Sequence, residues 1–423
     1  MKLTNRLPKM GLLFVMYMLQ SIYIGFSWTL FPILMRKQGF GLSEIGFSVL
    51  IYTPWALKFL YAPLIDRWYL PQLGRRKSWF GPFMLLTCLG LPILSFLDPH
   101  TQLDKVLLVV FLLNICSSTT DIAVDGYATD ILHPHEMPWG NTMQMVGNWS
   151  GILLGSSVFL MIYESSGWSQ TIVFMTTMYF LLTLPVLLHK EIAPVNAVAE
   201  GSKHSSLNKD KPSVYAFIKT GTCKHLLLLL ILSTVITQGG NRLRLPMLVD
   251  HGFSAADVGE LLLYFGIPMG ILGSFIGGSL VNRMGENRVY TAGAVMSSAV
   301  SLWTVWLIKA QMPATWMIAL MFASDYLMMG LMMVLVYNLI MRISSGPQAA
   351  TNFAVLCAAN HISMFSITAL MGVLCDLIGF NQVFFLLAAA GILFIFPGRF
   401  LIRQRILIGS PSTNQKPKVA FEV

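Results

Sequence analysis

Apolar runs long enough to cross a bilayer dominate this chain of 423 residues and leave few folds open to it. Apolar residues make up 55% of the sequence and charged residues 11%, a balance outside the range of soluble domains. At roughly 20 apolar residues per span, about twelve spans are expected. They lie near residues 11–35, 44–65, 79–97, 106–131, 142–163 and 170–188, then 225–248, 255–281, 289–308, 316–341, 350–376 and 383–401. Inside hydrocarbon every backbone polar group must be satisfied within its own segment, so the pattern predicts an all-α membrane protein. The first run is too long for a signal-peptide core and is followed by no small-residue cleavage site, which marks it as a retained helix.

One polar interruption divides the runs into two sets of six. The segment EGSKHSSLNKDKPS reads as a flexible linker. The expected organisation is an N-terminal six-helix bundle over 1–188, a cytoplasmic linker over 189–222, a C-terminal six-helix bundle over 223–405 and a cytoplasmic tail over 406–423. The net charge of +9 raises the question of a nucleic-acid partner, and its distribution answers it. With the N-terminus placed in the cytoplasm, about 21 of the Lys and Arg fall on the cytoplasmic side and about 4 opposite. The charge is topological, both termini are cytoplasmic, and no nucleic-acid partner is expected. The five cysteines are scattered without metal or disulfide spacing, so no metal site and no cofactor are expected.

A short basic turn follows the second run. Residues 57–77 read LKFLYAPLIDRWYLPQLGRRK, with Asp66 and Arg67 closing the apolar stretch and Gly74, Arg75, Arg76 and Lys77 after it. A weaker copy follows the eighth run as Asn282, Arg283, Gly285 and, further on, Arg288. Two six-helix halves, a central linker and this repeated turn resemble the major facilitator superfamily, over about residues 8–405. The chain departs from the usual motif in having Ala62 in place of the leading glycine and six extra residues, Trp68 to Leu73, before Gly74. That insertion, with PWALKFLYAPLIDR and SSTTDIAVDGYATDIL, is similar to the branch of muropeptide permeases, acetyl-CoA transporter-like proteins and rhizobactin/pyochelin-type siderophore permeases. The resemblance implies a cytoplasmic latch in which Asp66 supplies the acid, Arg67 or Arg75 the base, and Asp130 an acidic neighbour. Asn282 replaces the aspartate in the second copy, so a latch there is expected to be weaker. The resemblance also places the glycines of the fifth span (Gly147, Gly151, Gly155) and of the eighth (Gly266, Gly270, Gly273, Gly277) at a rocking interface between halves.

Ionisable residues inside spans are costly and mark candidate functional positions. In the fourth span Asn114, Ser118, Asp121 and Asp125 form one polar stripe. Lys58 lies eight residues before Asp66, roughly 12 Å by helical rise, while Asp121 and Asp125 lie roughly 13 Å and about 7 Å from Asp130. A pair between Lys58 and Asp121 or Asp125 is therefore expected, serving either helix packing alone or partner exchange during transport. The seventh span carries Gly239, Gly240, Asn241, Arg242, Arg244 and Pro246. Arg242 and Arg244 could receive an anionic substrate, snorkel, or pair with Glu260. Asp325 and His361 are the second half's candidates for proton coupling alongside Asp121 and Asp125, and Tyr326, Tyr23, Trp28 and Trp149 are candidates for stacking. The stripe is expected to line a wet central chamber.

The function expected is a proton-coupled secondary transporter of a bacterial inner membrane. It would import an iron-siderophore complex by alternating access, with a muropeptide or other anionic sugar-peptide as the alternative and a fluxless sensor as a remote one. The fifth-span segment GNWSGILLG lacks the proline of exporters in the resembled family, which favours uptake. No phosphate-binding GxxxxGK[ST] signature is present. The loop His133-Pro-His135-Glu136 is the lone enzyme-like hint, so no enzyme is expected. The partners expected are a small anionic molecule, protons and the lipid bilayer, and the chain is expected to be a monomer.

Overall fold

The computed structural model describes residues 6–27, 51, 53–99, 101–192, 214–241, 243–253, 255–311, 314–346 and 348–409. Arg242, Trp28 and most of the expected linker and tail lie outside these. The chain is all-helical among the described residues. The first half comprises α1 (Arg6–Gly25), α2 (Thr53–Arg67), α3 (Lys77–Gly90), α4 (Leu103–Ile131), α5 (Met137–Leu153) and α6 (Ser165–Leu188). The second comprises α7 (Gly221–Gln238), α8 (Ile267–Met284), α9 (Glu286–Lys309), α10 (Thr315–Ser344), α11 (Ala349–Ile378) and α12 (Phe380–Leu393). Nine helices among the described residues are long and apolar enough to cross a membrane. A short helix, Val214–Lys219, lies within the stretch expected as linker, and the last helix, Ile395–Gly409, runs past the expected boundary at 405.

Local chemistry sets where the helices begin and end. Thr220 caps α7 by accepting from the Cys223 N–H at 3.3 Å. Gly285 and Gly379 take φ of 80° and 82°, a left-handed conformation that glycine adopts without steric cost. Each is the whole connection between two long helices. The seventh span is broken: α7 stops at Gln238, a turn occupies the double-glycine segment, and a second helix starts at Arg244. Two adjacent glycines give the backbone the freedom for this interruption.

The glycine stripes lie only in part where the sequence places them. Gly151 presses on the backbone of α1, where an added Cβ would stand 2.5 Å from the Met18 carbonyl oxygen, and Gly147 and Gly155 meet α1 in the same way. Gly273 and Gly277 pack against α10 at Leu327 and Leu331. These small faces therefore bring helices together inside each half. The fifth and eighth spans do meet across the halves as expected, through Gly270, which faces the Trp149 ring, and through Thr142 Oγ1, which donates to the Ser274 carbonyl at 3.1 Å.

Candidate functional site

The polar stripe of α4 is matched by α2 and α1. Lys58 forms a buried salt bridge with Asp121, and its ammonium also lies 5.3 Å from the centre of the Trp55 ring. Trp55 Nε1 donates to Asn114 at 3.0 Å, and the Tyr61 and Ser118 hydroxyls are 2.8 Å apart. Asp125 receives the Tyr17 hydroxyl at 3.0 Å and the Gln144 carboxamide N–H at 3.2 Å on the same oxygen. The other face of the Gln144 amide, its Oε1, is buried with no partner among the described residues. Asp121 and Asp125 lie one turn apart on the same face of α4. Across the boundary between halves, Cys357 and Tyr337 are within electrostatic reach of both acids, and His361 is within reach of Lys58 and Asp121. The expectation of an open chamber is not met by the described residues: Asp121, Asp125 and Asp325 are 8%, 2% and 2% exposed, partnered among packed helices. A buried charge is tolerated when it is paired and hydrogen-bonded.

The second half has a pair of its own. Arg244 binds Asp325 at 2.9 Å, Asn241 donates to the second Asp325 oxygen at 2.8 Å, and Arg244 Nε donates to Thr304 at 3.3 Å. Arg244 also rests over Phe384 at 5.2 Å. Its acid is thus Asp325 and not Glu260, which is exposed. The broken seventh span delivers both Asn241 and Arg244 to this one carboxylate. Tyr326 follows on α10, half-buried, with its ring 5.8 Å from Trp149 of the other half and 6.3 Å from Phe322. His361 belongs by position to the first cluster rather than to this one.

At the C-terminal end of α2, Asp66 collects five contacts. Arg76 Nη1 donates to it at 2.8 Å and Arg75 at 3.2 Å. From α11 the Ala350 and Thr351 N–H groups donate at 3.3 and 2.7 Å and the Thr351 hydroxyl at 2.6 Å. A carboxylate is favoured there because the first turn of a helix presents unpaired N–H groups and a partial positive charge. Arg76 Nε continues the chain to Asp130 at 2.7 Å. The fully buried base is therefore Arg76, whereas Arg67 is exposed and makes no salt bridge among the described residues. Burial pulls both guanidinium groups down, but for Arg76 the Asp130 and Asp66 charges outweigh it and hold the proton more tightly than usual. For Arg75 burial and the neighbouring Arg76 charge prevail.

In the second copy of the turn the charges are reversed. Glu286 supplies the acid and receives Arg342 at 2.7 Å and Asn338 at 2.9 Å, both from α10. Arg283 and Arg288 are exposed. The Asn282 amide, oriented to satisfy both its groups, donates to the His135 carbonyl at 3.2 Å and accepts from Trp139 Nε1 at 3.1 Å. Each copy of the turn thus touches the start of the fifth helix of the opposite half. Sequence reasoning missed Glu286 and Arg342, Tyr17 and Gln144, and also Gly126. An added Cβ at Gly126 would stand 2.7 Å from Arg76 Cζ and 2.9 Å from Ala350 Cβ. Gly126→Val is expected to cost about 1–3 kcal/mol of overpacking and to loosen α11 from α4. Maleimide labelling of a variant retaining only Cys357, buried on α11, should rise above that of the parent.

The family model described as acetyl-coenzyme A transporter 1 matches residues 9–224, about half of the chain, and the model of the major facilitator superfamily matches residues 227–420. The chain belongs to the major facilitator superfamily. Its first half belongs with the acetyl-coenzyme A transporter family within that fold. The chain is 24% identical over 373 residues to the anhydromuropeptide permease of Escherichia coli strain K12, covering 87% of this chain and 74% of that protein. It is 22% identical to the putative transporter AmpG 4 of Rickettsia conorii over 88% of this chain and 91% of that one. Among solved structures, the major facilitator transporter FucP in its outward conformation superposes with a TM-score of 0.68 at 15% identity, covering 93% of this chain and 98% of that one. Membership makes the chain a multi-pass membrane transporter, and superfamily transporters consist of two halves that rock about a central site. The siderophore expectation finds no support in these relatives, one of which is named an anhydromuropeptide permease.

Proposed function

We propose that this superfamily member is a proton-coupled permease that imports a muropeptide or a related anionic sugar-peptide across a bacterial inner membrane, with both termini cytoplasmic. Similarity to the E. coli anhydromuropeptide permease along 87% of the chain supports the substrate class. The observation that carries the coupling is the count of charges in the first cluster: two adjacent carboxyls, Asp121 and Asp125, share a single lysine. Two carboxylates at this range cannot both stay ionised in a low dielectric beside one cation. Asp121 keeps Lys58, and Asp125, held by the neutral Tyr17 and Gln144, carries the exchangeable proton.

Opening toward the cytoplasm releases Asp125 and lets its proton leave. In the second half a carboxylate of the substrate competes with Asp325 for the Arg244 guanidinium, whose fork suits bidentate recognition. The half-buried Tyr326 and Trp149 rings offer the sugar's apolar face a stacking surface. Uptake of labelled anhydromuropeptides and of labelled iron chelates by a deletion strain and its complement, with and without an uncoupler, tests this reading. Complementation should restore uncoupler-sensitive uptake of the muropeptide alone; uptake of the iron chelate instead would overturn the substrate assignment.

A further inference from the structure

The insertion that sets this chain's turn apart builds a site of its own. Between the inner ends of α2 and α3, residues Trp68–Leu73 fold outward and frame an open groove of 540 Å³ lined by Arg67, Trp68, Tyr69, Leu70, Trp79 and Phe83. The walls are held in place. Trp79 Nε1 donates to the Trp68 carbonyl at 2.5 Å, the Leu70 N–H donates to Ser78 at 2.9 Å, and Trp79 stacks on Phe83 at 6.1 Å. Trp68 and Leu70 are nevertheless 64% and 60% exposed, a placement suited to the membrane interface, where amphipathic rings concentrate.

The groove continues an outward apolar stripe. Leu57, Leu60 and Leu64 are exposed along α2, and Arg67 and Trp68 follow three and four residues after Leu64, on the same face. Arg75 and Arg76 are committed to Asp66 and Asp130. Lys77 is committed to the Leu187 and His189 carbonyls. Arg67 alone in this segment points out with no acidic partner among the described residues.

We propose that this groove holds the headgroup of an anionic phospholipid, with its phosphate on Arg67, its glycerol region among Trp68 and Trp79, and its acyl chains along Phe83, Leu64 and Leu60. The anionic leaflet at the basic end of the helices supplies this chemistry.

Native mass spectrometry of the full chain, released from micelles holding equal phosphatidylglycerol and phosphatidylcholine, tests the proposal. The parent should retain phosphatidylglycerol in preference. Arg67→Gln should lower the retained fraction about fivefold, the effect of one cation near an anionic surface, and Trp68→Ala should lower it as well. Arg403→Gln, on the exposed side of the last helix, should leave it unchanged. Unaltered retention in Arg67→Gln, equal loss in Arg403→Gln, displacement by inorganic phosphate, or equal retention of both lipids would each overturn it.

Discussion

Asp66→Ala should abolish uptake and leave the protein open at the end where α2 meets α11. The carboxylate is 6% exposed and accepts from Arg76, Arg75, Ala350 and Thr351 at once. Its removal leaves the Arg76 guanidinium, at 0% exposure, with Asp130 as its remaining acid and leaves two first-turn N–H groups of α11 unpaired. Breaking a buried pair on one side costs about 3–5 kcal/mol, and each 1.4 kcal/mol of that which falls on the closed state shifts the open population about tenfold. Labelling of Cys357 in a variant holding only that cysteine should rise by about tenfold or more. Asp66→Asn, which keeps an acceptor oxygen, should fall between. Arg67→Ala should change neither labelling nor uptake, which separates the structural base Arg76 from its exposed neighbour.

Lys58→Met should have the second large effect. It removes the cation from two carboxyls that are 8% and 2% exposed, and leaving a buried charge uncompensated costs about 3–5 kcal/mol. With no cation beside Asp121 the charge balance of the cluster is lost, and with it proton-driven uptake. Lys58→Met with Asp121→Asn restores charge balance and should recover most of the thermal stability while transport stays uncoupled. A double variant that regains stability and proton-driven accumulation together would reduce the pair to a packing element.

The fold was legible because hydrocarbon admits few structures: span length and the repeated turn specify an all-helical protein of the major facilitator type. The Lys58–Asp121 pair was legible for a similar reason, since a constant helical rise converts sequence distance into depth. Arg244 was harder, because the interruption after Gln238 destroys the helical phase needed to say which arginine turns toward Asp325. Of the two latch bases expected, Arg75 does reach Asp66 and Arg67 does not, while the part taken by Arg76 depends on loop geometry that sequence does not carry. Gly74 takes φ of 104°, and Glu191 accepts from the Arg76 and Lys77 N–H groups at 3.1 and 2.8 Å, which swings Arg76 inward. Four-residue glycine spacing says that a helix packs closely but not against which neighbour, so contacts inside a half read the same as contacts between halves. Glu286 and Arg342 were not legible from the repeat, because the second turn carries its acid where the first carries its base.

The most direct test of the coupling account uses purified protein in proteoliposomes with labelled anhydromuropeptide. Counterflow is followed without a gradient, and accumulation under an imposed pH gradient. The parent should do both. Asp125→Asn, with Tyr17 and Gln144 intact, should retain counterflow but accumulate nothing, with a rate insensitive to pH. Accumulation by Asp125→Asn equal to that of the parent would contradict the assignment of the coupled proton to Asp125.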